Sequence, residues 1–198
     1  MKSLIVIVCA WAVALFSFAL NAPQAVAQSS ARNLGKSPKL IIGITVDQMR
    51  YDYLLRYWND FGPDGFRRLV NDGFLCHNLH YNYMPTYTGP GHASIFTGTT
   101  PAYHGIIQND WYDRSSNTMI YCSADTGVTG VGTVEKAGKM SPHYLTASTL
   151  GDMLRMQTNQ RGKVTGIAMK DRGAILPAGR TANAAYWFVG GDEGVWAS

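Results

Sequence analysis

The sequence predicts an α/β layered domain built on a mostly parallel sheet. Two continuous apolar, β-branched runs, "KLIIGITV" at 39–46 and "KVTGIAMK" at 163–170, have the pattern of strands buried on both faces. Segments with helical spacing alternate with strand-like runs along the chain, the order that gives a layered α/β domain. The 198 residues, 46% apolar and 15% charged, are enough for one domain with a real core and are not the composition of a disordered chain.

After the first strand, "DQMRYDYLLRYW" shifts to helical spacing. "GPDGFRRLVNDGF" gives a second helix, with Pro63 near its start and Gly73 near its end. "FLCHNLHYNY" reads as a strand. "PTYTGPGHASIFTG" follows as a short helix closed by Gly98. "GIIQNDWYD" and "NTMIYCS" are two strands joined through "RSS", a hairpin. "ADTGVTGVGTVEKAGK" has no period and is a loop. "SPHYLTASTLGDMLRMQTNQRG" is a helix whose apolar side is Leu145, Leu150, Met153, Leu154 and Met156. The strand at 163–170 is closed by "DRGAILPAGR", and "AAYWFVGGDEGVWAS" starts a strand and turns through Gly-Gly-Asp-Glu-Gly into another. There are no internal repeats.

At the N-terminus Lys2 precedes "LIVIVCAWAVALFSFAL", an apolar run of about 17 residues, followed by Ala25-Val26-Ala27. A basic end, an apolar segment and an A-x-A site form a secretory signal over 1–27, with a polar linker over 28–38 and the domain over 39–198. The rival is a membrane anchor, because the run approaches the ~18 residues that span a bilayer. The small-residue site and the polar stretch after it favour cleavage near Gln28, hence a periplasmic or secreted protein with no stable anchor. Beyond the signal lie Cys76 and Cys122, either a disulfide of an oxidising compartment or two reduced thiols. A formal charge of +4 with no long basic run suits a small anionic substrate and gives no case for nucleic acid.

The segment around Thr88 raises a choice. Pro is at home in a first helical turn, and a Thr just before that turn can cap the helix. The same position faces free backbone N–H groups and the positive end of the helix dipole, where a phosphate would sit. In sheets of this class ligands collect beyond the carboxyl ends of the strands. Asp47 directly follows "IIGITV", and Lys170 and Arg172 directly follow "VTGIAM". Each has a plainer reading: Asp47 as a helix cap, Lys170 and Arg172 as solvated loop charges, Asn109 as a turn residue. His92 and His104 read as local hydrogen-bonding supports rather than metal ligands.

Taken together, "VDQMRYDY", "PTYTGPGHASIFTGTTPAYHGIIQNDWYD" and "KDRGAILPAG" resemble the alkaline phosphatase superfamily. The resemblance is to its type I phosphodiesterase/nucleotide pyrophosphatase-like branch, and within that to bacterial secreted monoesterases with a Thr nucleophile. It runs from about Lys39 to the last residue, in order and with compatible spacing. It implies a three-layer αβα sandwich and a binuclear zinc site. It places Asp47 and Thr88 on one zinc, makes Thr88 the nucleophile, and puts Asn109, Lys170 and Arg172 on the phosphoryl oxygens. A zinc ion that lowers the pKa of bound water to ~7 would also make a threonine hydroxyl a usable nucleophile, giving a phosphothreonine intermediate. Arg172 can grip two oxygens in a fork and Lys170 adds a point charge.

The family's remaining zinc ligands lie downstream of any residue here. His77, His80, His92, His104 and His143 match none of its motifs. The expectation is therefore an N-terminal, truncated portion of a hydrolase of small-molecule phosphate monoesters. Alternatives are a phosphodiesterase or nucleotide pyrophosphatase, against which the Lys-x-Arg pair speaks, and a non-catalytic exported fragment that binds phosphate or a partner. A sulfatase is disfavoured, since neither Cys nor Ser holds the nucleophile position. Oligomeric state is not legible.

Overall fold

The computed structural model describes residues 38–133, 136–190 and 194–198, so the signal and most of the linker lie outside the described residues. The chain divides into two units, Met1–Gly43 and Ile44–Ser198. Of the first, the described residues 38–43 form no regular secondary structure and are exposed.

The second unit carries helices α1 (Asp52–Arg56), α2 (Phe66–Asp72), α3 (Thr88–Thr97) and α4 (Pro101–His104), strands β1 (Asp110–Asp113) and β2 (Thr118–Tyr121), and helix α5 (Leu150–Gln157). Strand β3 (Thr165–Ala168), helix α6 (Asp171–Ala178) and strands β4 (Ala184–Val189) and β5 (Val195–Ala197) follow. β1 and β2 form the expected antiparallel hairpin, Asp110 opposite Tyr121 and Asp113 opposite Thr118. β3 and β4 pair in parallel, Thr165 opposite Ala184, and β5 adds antiparallel to β4. This three-stranded sheet with α6 as its crossover is the βαβ unit that the alternation predicts.

The sequence reads over α6, because Gly173 and Pro177 both argue against a helix. It survives because it is short and close to the sheet. A Cβ on Gly166 in β3 would lie 2.2 Å from the Ala174 carbonyl oxygen, so only glycine lets the helix backbone approach that closely. Two apolar clusters hold the unit. Ala93, Ile106, Cys122, Leu145 and Leu176 join α3 to α6 and the hairpin, and Ala174, Ile175, Trp187 and Ala197 pack α6 on the sheet.

Two expected strands are not formed. Residues 40–46 make no ladder, and Leu40, Ile42 and Ile44 are 74%, 70% and 79% exposed. A strand buried on both faces needs neighbours to pair with and layers to cover it, and none of the described strands pairs with this run. "FLCHNLHYNY" is likewise irregular, with Phe74 92% and Leu79 82% exposed. The helix expected from residue 141 starts only at Leu150. Leu145 is buried outside it, while Leu150, Met153, Leu154 and Met156 remain exposed.

That late start has a local cause. Thr149 is the N-cap of α5, and a reciprocal capping box ties its hydroxyl and amide to Asp152. The Asp152 carboxylate also accepts the Thr181 amide at 2.7 Å and hydroxyl at 2.8 Å. Burial alone would raise its pKa, but hydrogen bonds from the Thr149 amide and from Thr181 outweigh it and hold the group below the usual carboxylate range. A depressed native pKa contributes stability above the unfolded value of ~3.9, and that contribution disappears as pH falls through the native value. Asp152→Asn should therefore cost about 2–3 kcal/mol near neutrality. Urea midpoints of the two proteins should converge as pH drops below ~4; a gap that stays constant into acid would contradict this.

Candidate active site

Helix α3 begins at Thr88, with Tyr87 as its N-cap residue and no side chain capping it. The Thr88 hydroxyl does not turn back onto its own helix. It donates to Asp47 Oδ2 at 3.1 Å, across 41 residues of chain. The other Asp47 oxygen accepts the Gln48 amide at 3.0 Å, in a turn where Gln48 has φ 59°. Of the two readings of Thr88, the cap is the one that the geometry does not realise. The carboxylate fixes where the hydroxyl proton points, so the oxygen lone pairs face away from Asp47.

The mouth of α3 is closed on one side by the hairpin. Asn109 sits one residue before β1, and its backbone oxygen accepts the Cys122 amide at 2.8 Å, which extends the ladder by one step. Its side-chain Oδ1 accepts the Gly89 amide of the first helical turn at 2.7 Å. That uses one free N–H of the helix terminus and leaves the two Asn109 side-chain N–H groups to donate elsewhere. A Cβ on Gly89 would lie 3.1 Å from Asn109 Oδ1 and 3.3 Å from Cys122 Sγ, so the second residue of "TGPGH" must be small for this fit.

Behind the mouth the histidines serve the scaffold. His92 Nδ1 is 2.8 Å from the Thr88 carbonyl; a carbonyl only accepts, so Nδ1 carries the proton. His104 is fully buried, takes the Ile106 amide on Nδ1 and donates from Nε2 to Ser94 at 2.9 Å. Burial lowers its pKa and keeps it neutral. Cys76 is exposed and Cys122 buried, and both are free thiols, which answers the pairing left open by the sequence. Desolvation pushes the Cys122 thiol up to about 11, so it is an inert packing group.

Lys170 and Arg172 stand at the start of α6, which packs on α3. Lys170 is the N-cap residue, exposed, with no side-chain cap. Arg172 is half-buried and tied to the hairpin. Its Nη1 donates to Tyr121 OH at 2.7 Å, and Tyr121 OH donates to Asp171 Oδ1 at 2.5 Å. The Arg172 guanidinium carbon lies 5.7 Å from the centre of the Tyr121 ring. Tyr121 adjoins Cys122, which touches the mouth of α3, so β2 links Arg172 to Asn109 and Gly89. Sequence reading passed over Tyr121 and Asp171. The signal for Asp171 was its place between two cations; Tyr121 had none until strand pairing fixed its face.

Asp47 and Thr88 offer two hard oxygen donors that suit a divalent ion in kind. Zinc takes three or four protein ligands, however. Among the described residues no group of three or more His, Cys, Asp or Glu side chains is placed to hold a metal. The pair does not by itself make a zinc centre.

Residues 41–194 match the model of the type I phosphodiesterase/nucleotide pyrophosphatase family. A protein of Myroides odoratus named a calcium-transporting ATPase is 46% identical over 91% of the chain, which covers 31% of that relative. Alkaline phosphatase PhoV of Synechococcus elongatus is 46% identical over 94% of the chain and 33% of its own length. The crystal structure of alkaline phosphatase PafA superposes with a TM-score of 0.77 at 46% identity, covering 79% of the chain and 30% of that protein. The chain thus spans about a third of the length of the relatives it matches.

Proposed function

The chain belongs to the type I phosphodiesterase/nucleotide pyrophosphatase family, and from that premise we propose that it carries the nucleophile and phosphate-holding half of a secreted or periplasmic phosphatase acting on small phosphate monoesters. The observation that carries this is the Thr88 hydroxyl. It is turned to Asp47 instead of capping α3, at a helix mouth where the Asn109 side chain holds the Gly89 amide.

In this reading the Thr88 oxygen attacks phosphorus as the ester P–O bond breaks, the proton lost from Thr88 ending on the departing alcohol. Water then cleaves the phosphothreonine, releasing inorganic phosphate and restoring the Thr88 hydroxyl. Asp47 orients the hydroxyl and accepts its proton-side hydrogen bond. The Asn109 side-chain amide and the Thr88 backbone amide donate to phosphoryl oxygens, and Lys170 and Arg172 neutralise the others. The rest of the first turn offers nothing, since Gly89 N–H is held by Asn109, Pro90 has none and Gly91 N–H is held by the Tyr87 carbonyl. Zinc is the metal that the resemblance implies. It would draw on Asp47 and Thr88 together with ligands from outside the described residues, and would supply the charge that makes the Thr88 oxygen a usable nucleophile.

The relatives' printed names fit this reading, because a phosphatase and an ATPase both cleave a bond to phosphorus. A solved variant of PafA is altered at a threonine, an asparagine, a lysine and an arginine. The first two are separated there by the same interval as Thr88 and Asn109, and the last two by the same interval as Lys170 and Arg172.

A diesterase would need the same nucleophile but has one fewer charged oxygen to hold. Replacing Lys170 and Arg172 together by alanine should therefore reduce monoester hydrolysis much more than diester hydrolysis. At about 1.5–3 kcal/mol for each charge-assisted contact, the preference should shift by about a hundredfold or more. Parallel kcat/KM measurements on an aryl phosphate and an aryl phosphodiester check this. Equal losses on both would make the pair structural and favour the diester reading.

A further inference from the structure

We propose that Tyr121 is a positioning residue for this same site: it fixes the Arg172 guanidinium so that its Nε edge, and not its Nη1 end, faces the phosphoryl group. The inference rests on the phosphatase reading above and adds to it a residue outside the nucleophile and phosphate-holding set.

Three contacts converge on one phenol oxygen. Tyr121 OH accepts from Arg172 Nη1 at 2.7 Å and gives its own proton to Asp171 Oδ1 at 2.5 Å. The same Asp171 oxygen accepts the Arg172 backbone amide at 2.7 Å, so the carboxylate is locked to the residue whose side chain it helps to aim. The Tyr121 ring lies beside the guanidinium, 5.7 Å from its carbon, and is itself packed against the buried cluster of α3, α6 and the hairpin. Rotation of the guanidinium is therefore blocked at its Nη1 end by a hydrogen bond and beside it by an aromatic ring.

What remains is Arg172 Nε, the one buried side-chain nitrogen or oxygen without a partner among the described residues. A buried cationic N–H is not left unpaired at no cost, and such an orphan calls for an acceptor. An arginine meets phosphate best through two parallel N–H groups. With Nη1 taken by Tyr121, the Nε edge is the one left to offer such a pair. A flexible, solvated arginine would have to lose rotamer freedom on each binding event; one already held by Tyr121 does not.

Asp171 is the second member of the device. It accepts the phenol's hydrogen bond, which leaves the Tyr121 oxygen with its lone pairs turned to Arg172. Without Asp171 the phenol could rotate its proton toward the guanidinium and lose that contact.

The test is a double-mutant cycle in the full-length, metal-loaded protein. Tyr121→Phe keeps the ring and its packing and removes only the oxygen. Calorimetric titration with inorganic phosphate should show affinity weakened by about tenfold to a hundredfold, and kcat/KM for an aryl phosphate should fall in proportion. Hydrolysis of an aryl phosphodiester should change much less. In an Arg172→Ala background the same change should have no further effect on phosphate affinity, because there is nothing left to aim. Asp171→Asn, which keeps the side-chain volume, should repeat the pattern more weakly. If Tyr121→Phe leaves phosphate affinity intact, or costs as much with Arg172 absent as with it present, the positioning role is overturned while the phosphatase reading stands. If Arg172→Ala itself spares phosphate binding, both fall together.

Discussion

Replacing Thr88 by alanine should lower turnover of a phosphate monoester by about a thousandfold or more while leaving the fold in place. The two halves of that expectation come from one contact. The hydroxyl donates to Asp47 Oδ2 at 3.1 Å, and no side chain caps α3, so its removal takes no cap from the helix. The contact is exposed, and its loss should cost about 0.5–1.5 kcal/mol. Helix α3 keeps what holds it: a left-handed Gly98 at its end, whose amide bonds Ser94, and a buried face from Gly89 to Ser94. Catalysis, by contrast, loses the atom that forms the covalent bond. Thr88→Ser should retain most of the activity, since the oxygen stays within reach of Asp47. The check is steady-state kinetics beside a thermal melt, in a protein whose metal site is complete. An alanine variant within tenfold of the parent, with a clearly lower melting temperature, would return Thr88 to the role of a structural cap.

How far the sequence foretold this arrangement depends on what sort of pattern carried each part. The hairpin, β3 and the β4–β5 pair were legible because apolar runs and turn residues are local signals. Helix α3 was legible because Pro90 in its first turn and Gly98 after its end mark both boundaries. Helix α6 was not, since Gly173 and Pro177 weaken its local signal, and its close approach to β3 at Gly166 is a contact between elements. The run at 40–46 was misread in the opposite sense. Its residues have strand chemistry, but a strand is a property of a pair, and no described strand pairs with it.

The candidate site divides in the same way. Asp47, Thr88, Lys170 and Arg172 stood out because each follows a strand-like run or opens a helix, places a local reading can find, whereas Asn109 read locally as a turn residue and drew its role from the family resemblance alone. The Tyr121–Asp171–Arg172 linkage depends on β2 lying beside the start of α6, a long-range fact with no period or motif behind it.

Residues 28–198, purified and given zinc, should hold the metal weakly and release no phosphate from a monoester at a rate above background. Asp47 and Thr88 supply two oxygens, while a zinc centre needs three or four ligands. No cluster of three or more His, Cys, Asp or Glu side chains supports them among the described residues. The scaffold histidines cannot step in cheaply. His104 is fully buried with both ring nitrogens engaged, and the Nδ1 proton of His92 is given to the Thr88 carbonyl. An unactivated threonine hydroxyl is a poor nucleophile at neutral pH, so orientation by Asp47 alone does not yield turnover. Phosphate binding is a separate matter: Asn109, the Thr88 amide and the cations of α6 need no metal to attract a dianion. The exposed apolar stretch from Leu40 to Val46 should also leave this piece prone to association. Metal analysis after gel filtration, phosphate titration and a phosphate-release assay on one preparation separate these points. Two tightly held zinc ions with steady turnover would mean that side chains of the scaffold ligate the metal and that Asp47 and Thr88 are not its only donors in this piece.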